Sequence, residues 1–203
     1  ELIGGKGTDY ASYETAHSLH DDGSTGVRAS LTDDRGFVGE AKGDTFKGME
    51  GLIGSGFNDT LTGSTGVDTL VGGYGDDVLQ GGGREDTLWG DVDAFGTSGS
   101  DTFVMNLPTA GEVKIMDFDA FDHVGINRKA FGLDAGFKFE DGVSFITAPG
   151  ATATGKGPTL LFDQDTKKLS FDADGADDGA ALVLATVRFD SQLYLDINDI
   201  VLI

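Results

Sequence analysis

Five acids recur at a fixed interval along the chain: Glu50, Asp59, Asp68, Asp77 and Asp86, each nine residues after the last. A leucine stands two places after each, giving Leu52, Leu61, Leu70, Leu79 and Leu88. The stretches between are Gly54-Ser55-Gly56-Phe57-Asn58, Gly63-Ser64-Thr65-Gly66-Val67, Gly72-Gly73-Tyr74-Gly75-Asp76 and Gly81-Gly82-Gly83-Arg84-Glu85. The unit reads Gly-Gly-x-Gly-x-Asp-x-apolar-x. Carboxylates and backbone carbonyls are hard oxygen donors, and a turn rich in both suits a divalent cation, calcium above all.

The elements that must position these donors follow from the same nine residues. The x-apolar-x segment makes a short strand with one side chain pointing inward. The other six residues reverse the chain, and glycine permits the positive φ angles this needs. Two units close one coil of about 18 residues, so alternate units stack on the same side, and several coils are needed before a core exists. Stacking sets like charges over one another, which destabilises the metal-free array. Calcium between the turns would reverse that sign.

The pattern extends outward in weaker form. Gly4 to Ala11 is a full unit around Asp9, and Gly39 to Phe46 a degenerate one around Asp44. Residues 13–38 interrupt them and predict a widened coil in which Val27, Ala29 and Leu31 alternate inward. A longer turn, Gly90 to Asp101, separates Leu88 from Phe103 by 15 positions. Simple alternation then places Asp9, Asp44, Asp59, Asp77 and Asp101 on one edge. It places Asp22, Glu50, Asp68, Asp86 and Asp117 on the other. Departures weaken some turns: Phe57 and Arg84 replace the fourth-position glycine, and Ser55 and Ser64 the second.

Composition agrees with this picture. The chain has 203 residues, 33 of them Gly, and carries a formal charge of −21. Its 35 acids divide into 28 Asp and 7 Glu, and Asp is the residue of turns rather than of helical faces. Such a field repels nucleic acid and anionic membranes. Cys is absent, which excludes disulfides and thiolate metal sites. No apolar run approaches the roughly 18 residues of a membrane span. The opening Glu1-Leu2-Ile3-Gly4-Gly5 starts mid-pattern and predicts a longer parent protein.

The repeat resembles the RTX (hemolysin-type) calcium-binding family, found in serralysin proteases, secreted lipases and alginate epimerases. The resemblance implies an all-β fold, a right-handed parallel β-roll over residues 1–104, with a β-rich cap over 105–203. It implies about 4–6 calcium ions. The ligands expected from matching positions are Asp9, Asp44, Gly54, Gly56, Asn58, Asp59, Gly63, Gly66, Asp68, Gly72, Gly73, Gly75, Asp77, Gly81, Gly82, Asp86, Asp101 and Asp117. It further implies a secreted, extracellular bacterial protein, exported by type I secretion machinery, that folds on meeting calcium and supports an upstream passenger. A different expectation is an adhesin or polysaccharide-binding module, for which Tyr10, Tyr13, Tyr74 and Trp89 are the exposed aromatic candidates.

After Met105 the period is lost, and all three prolines fall there. Val113 to Phe118 and Asp122 to Ile126 resemble the strand pair that ends such rolls. Leu160–Asp163, Leu169–Asp172 and Ala181–Leu184 read as short strands joined by Asp/Gly turns. A solenoid end exposes strand edges, so a cap is physically required. The tail Asp199-Ile200-Val201-Leu202-Ile203 resembles the C-terminal signals of type I export, and equally suits a last strand. Asp172 to Asp177 imitates an EF-hand loop but lacks its Gly at position 6 and Glu at position 12, so a hairpin turn is expected. His17 and His20 would need a third ligand to hold zinc. With three His, no Cys and no serine in a triad setting, the chain is not expected to be an enzyme, although its parent protein can be one.

Overall fold

One apolar residue in nine makes a thin core, so each coil depends on the coils beside it. The computed structural model describes residues 1–17, 26–83, 85–91, 99–106, 111–175, 179–189 and 194–203. Its first strands are β1 (Leu2–Ile3), β2 (Tyr10–Ser12), β3 (Arg28–Ser30), β4 (Arg35–Val38), β5 (Phe46–Lys47) and β6 (Gly51–Ile53). They are followed by β7 (Thr60–Thr62), β8 (Thr69–Gly73), β9 (Val78–Gln80), β10 (Thr87–Asp91), β11 (Thr102–Met105) and β12 (Val113–Phe118). The last are β13 (His123–Ile126), β14 (Phe145–Ala148), β15 (Thr159–Asp163), β16 (Lys168–Asp172), β17 (Leu182–Phe189) and β18 (Ile200–Leu202).

The chain is all-β and forms a parallel β-roll. One sheet runs β2-β6-β8-β10-β12-β17-β16-β15-β14, the facing one β4-β3-β7-β9-β11-β13-β18, and β1 pairs with β5. Register follows the nine-residue arithmetic. Ala11, Leu52, Leu70, Leu88 and Ile115 align across the first sheet. Ala29, Leu61, Leu79, Phe103 and Val124 align across the second. The five repeat leucines are 0% exposed; fully burying each is worth about 1.5–3 kcal/mol. Consecutive leucines therefore alternate between sheets, and leucines 18 residues apart stack.

The interruption at 13–38 contains the antiparallel hairpin β3–β4, whose turn places Asp34 at φ 53. Val27, Ala29 and Leu31 point inward and are buried, as their alternation predicts. Parallel stacking continues past residue 104: β12 lies on β10, β13 on β11, and β18 on β13. In the second half β15, β16 and β17 are antiparallel, and β17 joins the roll through β12. Phe103, Phe118, Phe189 and Phe162 form a continuous run of ring contacts from the roll into these strands. Asp172 ends β16 in a tight turn, its Oδ1 accepting from the N–H groups of Asp174 and Gly175; residues 176 and 177 lie outside the described residues. Among the described residues, no helix is long and apolar enough to cross a membrane.

Candidate metal centre

The strands of the repeat region, β6 to β11, each begin just after an acid, so stacking the strands stacks the acids along two edges. On one edge lie Asp59, Asp77, Asp101 and Asp122, all buried. Asp59 N–H donates to Asp77 Oδ1 at 2.7 Å. Asp77 N–H donates to Asp101 Oδ1 and Asp101 N–H to Asp122 Oδ1, both at 2.9 Å. One oxygen of each carboxylate thus clamps the neighbouring coil. The second oxygen points into the turn: Asp59 Oδ2 accepts from Ser55 N–H, and Asp122 Oδ2 from Asp119 N–H at 2.8 Å. Asp77 Oδ2 is buried with no hydrogen-bond partner among the described residues.

The other edge holds Asp9, Glu50, Asp68 and Asp86. Asp9 N–H donates to Glu50 Oε2 at 3.0 Å, and Asp68 N–H to Asp86 Oδ1 at 2.9 Å. Asp68 Oδ2 accepts from Ser64 N–H at 2.6 Å and from its hydroxyl at 2.8 Å, so the serine substitutes for a glycine yet still serves the carboxylate.

Electrostatics on both edges are unfavourable without a cation. Burial, reinforced by the charges of Asp101, Asp59 and Asp91, pushes the Asp77 carboxyl up to about 9. Burial and the charges of Asp122, Asp91 and Asp117 push Asp101 to about 8. Asp122 rises to about 7 through burial and its neighbours Asp119 and Asp117. Asp86 rises to about 6 through burial and Asp68, and burial also raises Asp59. Buried carboxylates need a positive partner. Among the described residues the ion pairs are Lys168–Glu112 and His17–Glu40, and neither touches a column carboxylate.

The glycines complete the donor set. A Cβ on Gly72 would strike both Asp77 Oδ2 and the carbonyl oxygen of Gly90, one coil on. A Cβ on Gly54 would strike Asp59 Oδ2 and Gly72 O, and one on Gly63 would strike Gly81 O and press on Asp68 Oδ2. Carbonyl and carboxylate oxygens therefore converge from successive coils over a backbone with no side chain, an arrangement that suits a hard divalent cation. Gly73, Gly75 and Gly82 take φ of 123°, 112° and 103° to turn the chain around it. Gly56 and Gly66 lie farther out in their turns, and Asn58 Oδ1 accepts from Asp76 N–H at 3.0 Å.

Three expected positions differ from simple alternation. Asp9 joins the edge of Glu50, Asp68 and Asp86, because β2 pairs with β6. Asp44 is separated from Asp59 by the β3–β4 hairpin, which Thr45 meets through a bridge to Arg35, and its carboxylate accepts from the Tyr13 hydroxyl at 2.9 Å. Asp117 does not stack on Asp86. It begins the turn on the Asp101 edge, where its carboxylate accepts from the N–H groups of Gly90 and Asp91. Asp22 and His20 lie outside the described residues, and His17 sits exposed beside Glu40. The acids missed by the repeat are Asp91, Asp119 and Asp122; the Asp-x-apolar spacing of Asp122 and Val124 would have found the last.

Comparison with known families agrees with the geometry: residues 53–88 and 71–103 match the RTX calcium-binding nonapeptide repeat in its four-copy form. No curated protein matches the chain.

Proposed function

From the premise that residues 53–103 are RTX calcium-binding nonapeptide repeats, and so a calcium-binding module, we propose that this chain is a calcium-dependent folding switch of a secreted protein. Asp59 with Asp77, Asp77 with Asp101, and Asp68 with Asp86 hold the ions between stacked turns, helped by the carbonyls of Gly72, Gly81 and Gly90. Bound calcium supplies the positive charge that lets these buried acids ionise together. The observation that carries the reading is Asp77, 1% exposed, with one carboxylate oxygen unpartnered and its ionisation opposed by three other acids.

Because the sites do not exist in the unfolded chain, binding free energy is folding free energy. At a calcium concentration 100 times Kd, each independent site contributes roughly 2.7 kcal/mol, and a few sites rival the whole 5–15 kcal/mol of an ordinary domain. Affinities of about 10⁻⁴–10⁻³ M, usual for extracellular modules, leave the chain unfolded where calcium is scarce and folded outside the cell. An unfolded chain can be threaded through an exporter, and folding outside prevents its return and supports a passenger domain.

Circular dichroism tests this directly. In chelator the spectrum is that of a largely disordered chain at neutral pH, and calcium restores β-sheet. Magnesium, which demands tight octahedral geometry, substitutes poorly. The same β-sheet spectrum with and without calcium would overturn the switch.

A further inference from the structure

The turns that end at Asp59, Asp77 and Asp101 are tied to one another in both directions. Asp59 N–H donates forward to Asp77 Oδ1 at 2.7 Å, and Asp76 N–H donates back to Asn58 Oδ1 at 3.0 Å. The next pair of turns repeats the exchange. Asp77 N–H donates forward to Asp101 Oδ1 and Ser100 N–H back to Asp76 Oδ1, both at 2.9 Å. At the end of the row the Ser100 hydroxyl donates to the Phe121 carbonyl oxygen at 2.6 Å. A second ladder, of Asn58, Asp76 and Ser100, thus runs beside the carboxylate column, one residue ahead of it in the chain.

Among the described residues the opposite edge lacks this return bond. Asp68 N–H donates forward to Asp86 Oδ1 at 2.9 Å. Val67 stands there where Asn58 and Asp76 stand on the first edge, and valine has no acceptor to offer the N–H of Glu85. Asn58 and Asp76 are exposed, so burial does not account for them, and the bonds are what they add. A turn held by one forward bond can still pivot about it. Two opposed bonds fix both its height and its tilt, and with them the direction of the carboxylate. Preorganised ligands lose less freedom when the ion arrives and so bind it more tightly. We propose that Asn58 and Asp76 are positioning residues of the calcium sites on this edge, their side-chain oxygens holding the turns rather than the ion. The inference rests on the calcium reading above and adds to it the residues that set the geometry.

Calcium titration of the full chain, followed by circular dichroism with stoichiometry from calorimetry, tests this. Asp76→Ala removes the acceptor, and its calcium midpoint of folding rises roughly fivefold, the effect of losing one hydrogen bond, at unchanged stoichiometry. Asp76→Asn keeps an accepting oxygen, discards the charge and recovers most of that loss. Val67→Asn supplies the missing acceptor on the opposite edge, and its midpoint falls below wild type. An Asp76→Asn midpoint raised as far as that of Asp76→Ala would make Asp76 a charge that draws the ion, and overturns the inference. A Val67→Asn midpoint at or above wild type overturns it too. Either result leaves the calcium module standing. A wild type that takes up no calcium overturns both.

Discussion

The backbone N–H of Asp59 donates to Asp77 Oδ1 at 2.7 Å, although 18 residues separate the two. One oxygen of Asp77 therefore stitches coil to coil, and the other is buried with no hydrogen-bond partner among the described residues. A carboxylate placed only to end a turn would have no reason to bury its second oxygen without a protein partner. That division of labour separates the roles of acid and leucine, and experiments can follow it.

Asp77→Ala removes a carboxylate shared by two gaps, the one with Asp59 and the one with Asp101. Calcium stoichiometry measured by isothermal titration falls. Leu70→Ala leaves every donor in place but opens a cavity in a fully buried position, at a cost of about 2–5 kcal/mol. Its calcium midpoint rises, and its stoichiometry at saturation matches wild type. Equal stoichiometry in the two variants would reduce Asp77 to a turn residue.

Gly72→Ala and Gly5→Ala make a matched pair. A methyl at Gly72 collides with Asp77 Oδ2 and the Gly90 carbonyl, whereas at Gly5 it meets open space. Overpacking costs about 1–3 kcal/mol, so Gly72→Ala shifts the calcium midpoint of folding upward. Gly5→Ala stays within about 0.5 kcal/mol of wild type. Parallel midpoints for the two in a circular dichroism titration would show that the gap over Gly72 holds nothing of consequence.

Acid stands in partly for calcium. Without the ion, burial and like charges hold Asp77 up to about 9, Asp101 to about 8 and Asp122 to about 7, against an ordinary value near 3.8. A carboxyl whose folded pKa is raised favours folding while protonated, and that stability drains away as pH climbs from the unfolded value through the folded one. The calcium-free chain therefore shows more β structure at about pH 4 than at about pH 8. Calcium must displace those protons, so its affinity rises with pH over the same interval. A calcium-free spectrum indifferent to pH would contradict the burial of these acids.

The regular centre of the fold was legible because a period of nine fixes side, height and direction at once. Leu52 over Leu70, and Asp59 over Asp77, follow from counting alone. Counting fails where the chain leaves the period. Asp9 went to the wrong edge because the β3–β4 hairpin doubles back, and apolar spacing does not record a reversal. Asp117 resembled a turn-ending acid by proximity to the strand pair, but it leaves a strand rather than entering one; Asp122 holds the stacked place. Asp91 was invisible because the repeat expects glycine there. The antiparallel strands β15 to β17 were readable as strands, yet their attachment to the roll through β12 depends on contacts far apart in sequence, such as Lys168 with Glu112 at 3.0 Å.

Because one coil consumes two units, the array can gain or lose material only in pairs. Deleting a single nonapeptide would carry every later strand to the facing sheet and exchange the two edges, leaving Asp101 over Asp68 and Phe103 over Leu70. Deleting two would shorten the roll by one layer and leave each remaining contact as it was. A change of repeat number by two thus preserves the stacking of acids and leucines, and a change by one does not.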